Sequence, residues 1–170
     1  PFWTDDFPRP QGLPISPQPE QVDVAVVGGG YTGLSAARTL AQGGASVAVL
    51  EQGEIGSGAS SVNGGQVAPG LKLGIREAFK KYGPEIGREL WHASLAAVYF
   101  LEQLIEEEGI ACDYTHQGGI ALAYRPAHHR QQANDIEWMA RELNYHEMEL
   151  IPPERIREEI GSTVFPGGLV

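Results

Sequence analysis

Short apolar runs and a helical repeat follow one another between residues 22 and 50. Val22–Val27 is rich in valine and has the length of a buried strand, and Ser46–Leu50 has the same character. The residues between them read as a helix up to Gln42, and Gly43-Gly44 is suited to end it. The order strand, helix, strand predicts a β-α-β unit with parallel strands.

The pattern becomes helical again after residue 70. Leu73–Tyr82 predicts a short amphipathic helix. Pro84 suits a helix start, and a long helix is predicted from there to Gly109, with Trp91 packed on it. The apolar stripe of this helix, at intervals of three and four, is Ile86, Leu90, Ala93, Ala97, Leu101 and Leu104.

Two further helices are predicted downstream. One begins at Pro126, and a shorter one begins at Pro152-Pro153 and ends near Gly161. The first of these carries one apolar face, which consists of Ala133, Ile136, Ala140 and Leu143.

Short extended segments separate these helices. Ala111–His116 and Gly119–Tyr124 have the composition of two strands, joined by Gln117-Gly118. Such a hairpin, in place of another β-α-β unit, predicts entry into a different sheet. Thr163–Phe165 and Leu169-Val170 are also predicted to be extended.

Residues 1–21 form a proline-rich segment that holds six of the twelve prolines. Proline removes backbone donors, so this segment is predicted to be extended and not helical. Its aromatic residues Phe2, Trp3 and Phe7 either pin it to the body or to a partner subunit, or the segment is a disordered lead-in.

The charge of the chain restricts its partners. Its 170 residues carry a formal net charge of −10, which argues against nucleic acid and against an anionic membrane surface. The longest apolar run, Ala93–Leu101, is too short to span a bilayer, and no secretory leader is visible. The single Cys112 suits a reducing compartment, so a cytoplasmic protein is expected.

A glycine motif links the first predicted strand to the helix. Gly28, Gly30 and Gly33 form G-x-G-x-x-G, in which the first permits a tight turn, the second a close approach to a pyrophosphate, and the third helix packing. Tyr31 and Thr32 open the helix, whose N-terminal N–H groups and dipole favour phosphate. All five are predicted cofactor-binding residues.

A carboxylate follows the second predicted strand. Glu51 stands 23 positions after Gly28, where it can accept hydrogen bonds from the hydroxyls of an adenosine ribose. Gln52 follows directly and is included in the predicted site. The strand-helix-strand-Glu51 unit therefore predicts a bound dinucleotide.

Residues 53–70 contain six glycines and three serines. Composition alone allows a flexible surface loop. A NAD domain would normally continue through another crossover helix, whereas a small-residue segment can pass close to a flat ring and offer it backbone N–H groups. This favours FAD, and it leaves an NAD(P)-dependent dehydrogenase as the alternative.

The quoted residues resemble a known family. The stretches Asp23–Ala37, Val49-Leu-Glu51, Gly56–Ser60 and Asn63-Gly-Gly-Gln66 are similar to the FAD-dependent D-amino-acid-oxidase superfamily. The similarity is greatest to its glycine/sarcosine oxidase and gamma-glutamylputrescine oxidoreductase branch.

The resemblance implies an α/β fold in which a Rossmann-like FAD-binding β-α-β unit is followed by the start of an α+β substrate domain. The corresponding domains are 22–80, the first and incomplete part of the FAD-binding domain, and 81–170, the helical region and start of the substrate domain. Complete members are longer, so the chain is expected to be an N-terminal portion that works with the remainder of its own chain. In the small-residue segment, Gly58 and Ala59 are expected near the pyrophosphate, and Ser60, Gly64, Gly65 and Gln66 toward the isoalloxazine. Asn63 is also a predicted cofactor-binding residue.

The activity implied by the resemblance is oxidation of a C–N bond in a small amine or amino acid, by hydride transfer to flavin. The flavin is covalent or non-covalent, and oxygen or another acceptor takes the electrons. Besides the NAD(P)-dependent dehydrogenase, a second alternative to the flavoenzyme is a partial dinucleotide-binding module without catalytic activity.

Other catalytic and metal sites are not indicated. His116, His128, His129 and His146 lack the spacing of a zinc site, so no metal is predicted. The serines of segment 53–70 lack the G-x-S-x-G pattern of a hydrolase nucleophile. The catalytic residues remain unknown from the sequence.

Overall fold

The computed structural model describes residues 2–8, 17 and 19–170. These residues divide into two compact units, Pro1–Gln66 and Val67–Val170. The domain boundaries after residues 21 and 80 stay predictions.

The first unit begins with helix α1, Phe2–Asp6. The prediction that residues 1–21 contain no helix is therefore wrong at this point. The sequence has no proline between positions 2 and 7, so the turn keeps its donors, and the N–H of Phe7 donates to the oxygen of Trp3 at 3.0 Å. The extended course predicted for residues 9–16 and 18 lies outside the described residues.

The predicted β-α-β unit is confirmed. Strand β1 (Val24–Val27) leads into helix α2 (Tyr31–Gln42), and strand β2 (Val47–Leu50) pairs with β1 in parallel, with Val24 opposite Val47. The start of the pair is fixed by Asp23, whose Oδ2 accepts hydrogen bonds from the N–H and hydroxyl of Ser46 at 2.8 and 2.6 Å. The carboxyl ends of both strands therefore lie side by side.

Helices form most of the second unit, as predicted. Helix α3 spans Ile75–Tyr82, α4 spans Pro84–Glu108 and α5 spans Pro126–Leu143. Helix α4 ends at Gly109 in the left-handed conformation, which glycine adopts at little cost. The buried centre of the unit consists of Trp91, Met139 and Leu143.

The buried face of α4 differs from the predicted stripe. Gly87 and Trp91 are buried, whereas Ile86 is 46% exposed. Ala93 and Ala97 are exposed as well. The difference arises because Phe79 of α3 lies directly against Gly87, which turns that side of α4 toward the core. Trp91 packs as predicted.

The predicted hairpin is wrong. Residues 111–116 form no strand, and β3, Ala121–Leu122, pairs instead with β5, Gly168–Leu169. Asp113 adopts a left-handed φ of 51°, which interrupts an extended chain. The nearby side chains of Tyr114 and His116 are hydrogen-bonded to Glu102 of α4, at 2.6 and 2.5 Å.

The remaining elements complete this small antiparallel sheet. Strand β4, Leu150–Ile151, was not predicted and pairs with the other edge of β5. Helix α6 spans Ile156–Ile160, so it begins later than Pro152, after a turn. Residues 163–165 are bends or irregular and not a strand.

Candidate dinucleotide site

The glycine turn joins β1 tightly to α2. Gly28 has a φ of 101°, and its N–H donates to the carbonyl of Leu50 at 2.8 Å. A Cβ added to Gly33 would overlap the carbonyl oxygen of Gly28 and lie 3.3 Å from Cγ1 of Val26. The helix approaches the strand so closely that only glycine fits at Gly33.

The N-terminus of α2 meets the small-residue segment. Gly30 is extended, and the N–H of Tyr31 donates to Oγ of Ser60 at 3.0 Å. A Cβ on Gly30 would lie 2.9 Å from the same hydroxyl oxygen. Segment 53–66 thus folds back onto the helix end, where Tyr31 and Thr32 are exposed.

The carboxylate of Glu51 accepts hydrogen bonds from backbone N–H groups of the glycine turn and of the turn that follows β2. Its Oε2 accepts the N–H of Gly29 at 2.7 Å, and its Oε1 accepts the N–H of Gly53 at 3.0 Å. These backbone hydrogen bonds, that from Gly29 first, hold the pKa of Glu51 below its ordinary value. The carboxylate is therefore ionised at neutral pH, and each oxygen retains a second lone pair. The adjacent Gln52 is exposed.

The side chain of Asn63 closes a turn in the small-residue segment. Its amide nitrogen donates to the carbonyls of Ala59 and Ser60, at 3.1 and 3.0 Å. Its amide oxygen accepts the N–H of Gly65 at 2.8 Å, and Gly65 adopts a φ of 67°. Asn63 therefore gives residues 59–65 a defined shape.

The structure brings most of the predicted site residues to the carboxyl ends of β1 and β2. Gly29 of the glycine turn is hydrogen-bonded to Glu51, and Tyr31 at the start of α2 is hydrogen-bonded to Ser60. The turn closed by Asn63 continues from Ser60. The remaining predicted residues are exposed along the same segment: Gly58, Ala59, Gly64, Gly65 and Gln66.

One contact at this segment was not predicted. The indole of Trp3 in α1 donates to the backbone oxygen of Asn63 at 2.8 Å. The sequence offered only the aromatic character of the N-terminal segment as a signal.

The sequence model of one protein family, described as FAD dependent oxidoreductase, matches residues 23–170. The chain belongs to this family. Membership confirms the predicted family resemblance and the predicted FAD cofactor, and it runs against the NAD(P)-dependent alternative.

Individual relatives agree with the family. The Haemophilus influenzae protein named Probable oxidoreductase OrdL is 35% identical over 99% of this chain and 39% of its own length. Gamma-glutamylputrescine oxidoreductase of Escherichia coli (strain K12) is 36% identical over 87% of this chain and 34% of its own length. The chain thus spans about two-fifths of the length of the curated relatives that it matches.

A solved structure supports the fold. Glycine oxidase from Bacillus cereus superposes with a TM-score of 0.60 at 24% identity, covering 88% of this chain and 38% of that one. The predicted mixed α/β class is confirmed by this likeness. Among residues 2–8, 17 and 19–170, none of the helices has the length and apolar character needed to cross a membrane.

Proposed function

We propose that this chain binds the adenosine and pyrophosphate of FAD, and contributes to the isoalloxazine site, in an enzyme that oxidises a C–N bond of a small amine or amino acid. One observation carries the proposal. The N-terminus of α2, the ionised carboxylate of Glu51 and the turn of residues 59–65 converge at one end of the parallel strand pair. This arrangement offers N–H donors and a helix dipole to phosphate, and an acceptor to ribose.

The pyrophosphate is assigned to the first turn of α2. Because Gly30 has no side chain, the Ser60 hydroxyl can lie against the helix end, and a Cβ there would come within 2.9 Å of its oxygen. The Ser60 hydroxyl accepts from Tyr31, so its own O–H can donate to a phosphate oxygen. We therefore assign Ser60 to the phosphate end, together with Gly58 and Ala59, and not to the isoalloxazine end.

Glu51 is assigned to the adenosine ribose. Its two oxygens are held in place by the backbone of Gly29 and Gly53, and their remaining lone pairs can accept the ribose hydroxyls. Because the carboxylate is ionised, it repels a 2′-phosphate. This residue therefore supports binding of FAD and disfavours NADP.

The isoalloxazine is assigned to the far part of the same segment: Asn63, Gly64, Gly65 and Gln66. When bound, FAD supplies the acceptor for a two-electron oxidation of the substrate. The names of two relatives, gamma-glutamylputrescine oxidoreductase of Escherichia coli and glycine oxidase of Geobacillus kaustophilus, support an amine or amino acid as the substrate class. We place the protein in the cytoplasm, with the remainder of its own chain completing the active site.

Titration of the full-length apoprotein with FAD tests the assignment of Glu51. Glu51→Gln keeps the shape of the side chain but replaces one carboxylate oxygen, which accepts hydrogen bonds, by an NH₂ group, which donates them. The charge is also lost, so FAD affinity should fall about ten- to a hundredfold. Glu54→Gln removes the same charge three residues away, at an exposed position, and should bind FAD as the wild type does. Equal affinities in all three proteins would contradict the ribose assignment.

Substitution of Gly30 tests the phosphate assignment. Gly30→Val should yield a folded but colourless protein, because among the described residues its Cβ meets only the movable Ser60 hydroxyl, whereas the side chain obstructs the pyrophosphate. Purification of this variant with stoichiometric flavin would show that the pyrophosphate lies elsewhere.

Anaerobic bleaching of the flavin by a panel of amines and amino acids tests the reaction. Bleaching by at least one of these compounds is expected. A full-length protein that binds FAD and is reduced by none of them would favour the non-catalytic binding module.

A further inference from the structure

Trp3 reaches the small-residue segment across 60 positions of sequence. Its indole Nε1 donates to the backbone oxygen of Asn63 at 2.8 Å. Asn63 is the same residue whose side chain closes the turn between Ala59 and Gly65. The turn is therefore held by the amide of Asn63 from within and by the indole of Trp3 from α1.

The ring of Trp3 also lies against Gly65. A Cβ added to Gly65 would lie 2.5 and 2.7 Å from the ring atoms Cζ2 and Cη2. Such distances are shorter than van der Waals contact, so the close approach depends on the absence of a side chain at Gly65. The positive φ of Gly65 also favours glycine at this position.

Helix α1 and the segment depend on each other. A helix of five residues is too short to be stable by itself in water. Residues 62–66 are exposed, and a chain of small residues loses much conformational freedom when it is ordered. The indole hydrogen bond and the ring contact order both elements at once.

We infer that Trp3 is a positioning residue for the flavin, acting through the turn of residues 59–66 without being a catalytic residue. This inference rests on the proposed function, which assigns residues 63–66 to the isoalloxazine. With the turn fixed in advance, its backbone N–H groups are oriented before the cofactor binds, which lowers the entropic cost of binding.

The test uses the full-length protein with FAD bound. In Trp3→Ala, FAD affinity should fall by no more than about threefold, because Glu51 and α2, which are assigned to the ribose and the pyrophosphate, are unchanged. The visible absorption bands of the flavin should shift, and its midpoint potential should move by about 30 mV, the equivalent of a tenfold change in relative affinity for oxidised and reduced FAD. Trp3→Phe keeps an aromatic ring but loses the indole N–H. Its absorption bands and midpoint potential should therefore lie between those of the wild type and those of Trp3→Ala.

A double-mutant cycle provides an independent variant. Gly65→Ala should displace the Trp3 ring and reproduce the spectral and potential shifts of Trp3→Ala. In the Trp3→Ala background, Gly65→Ala should have a smaller effect than in the wild type, because the clash with the ring is gone and only the strain of the positive φ is left. Phe7→Leu, a change at a 40% exposed aromatic of the same N-terminal segment, is the matched control and should leave the spectrum unchanged.

The outcomes separate the inference from the function on which it rests. Wild-type spectrum and potential in Trp3→Ala, or additive effects of the two substitutions, would overturn the positioning role and leave the FAD site intact. Failure of the wild-type protein to bind FAD would overturn the proposed function itself.

Discussion

Substitution of Gly33 by alanine probes the contact on which the glycine turn depends. The added methyl carbon would overlap the carbonyl oxygen of Gly28 and lie 3.1 Å from its carbonyl carbon. This carbonyl belongs to a backbone with a φ of 101°, which is held by a hydrogen bond to Leu50. It cannot rotate aside as a side chain would, so α2 must move away from β1.

The expected loss of stability follows from two opposing effects. Overpacking against a well-packed neighbour costs about 1–3 kcal/mol, and a rigid backbone obstacle places Gly33→Ala near the upper limit. Alanine in a helix is favoured over glycine by about 1 kcal/mol, which offsets part of this cost. The net expectation is a loss of about 2 kcal/mol in the free energy of unfolding.

Urea unfolding of the full-length apoprotein measures this loss without a contribution from bound FAD. The full-length protein is larger than the small proteins that have urea slopes of about 1–3 kcal/mol/M, so its slope should be about 3 kcal/mol/M or more and its midpoint should fall by about 0.7 M or less. Gly58→Ala is the matched control, because its added Cβ has no neighbour within 4 Å in the part of the chain that the structure describes, apart from the adjoining residues. Its midpoint should be unchanged or slightly higher. A wild-type midpoint in Gly33→Ala would refute the close approach of α2 to the turn.

Two further predictions concern the second unit and the dependence on pH. In Gly87→Ala the new methyl would lie 2.7 Å from Cε2 of Phe79, so we expect destabilisation by about 1 kcal/mol despite the gain in helix propensity. In a Phe79→Ala background the same change should stabilise, and urea midpoints that show no reversal of sign would contradict this packing. The pKa of Glu51 is lowered in the folded state, so its stabilising effect is present above the ordinary glutamate pKa of 4.5 and is lost as the pH falls below it. Urea midpoints between about pH 5 and 3 should therefore fall less steeply in Glu51→Gln than in wild type, and parallel profiles would contradict this.

The first unit could be predicted because its signals are local. Two valine-rich strands, three glycines at fixed offsets and a carboxylate at the end of the second strand specify the β-α-β unit within 30 residues. The contact between Ser60 and Tyr31 could not be predicted, because it depends on how the small-residue segment folds back.

The errors of prediction have tertiary causes. Residues 111–116 have strand composition, but hydrogen bonds to Glu102 hold them against α4, and the partner of β3 lies more than 40 positions further along the chain. The buried face of α4 is selected by Phe79, a residue of another helix. Helix α1 was not predicted because the proline content was assessed over residues 1–21 as a whole. Residues 2–7, which include the helix, contain no proline.

The FAD site itself is tested most directly by a crystal structure of the full-length protein with FAD. The pyrophosphate is expected at the N-terminus of α2 beside Gly30 and Ser60, with the ribose hydroxyls within hydrogen-bond distance of Glu51. FAD bound with its phosphates away from α2, or with its ribose remote from Glu51, would contradict this placement.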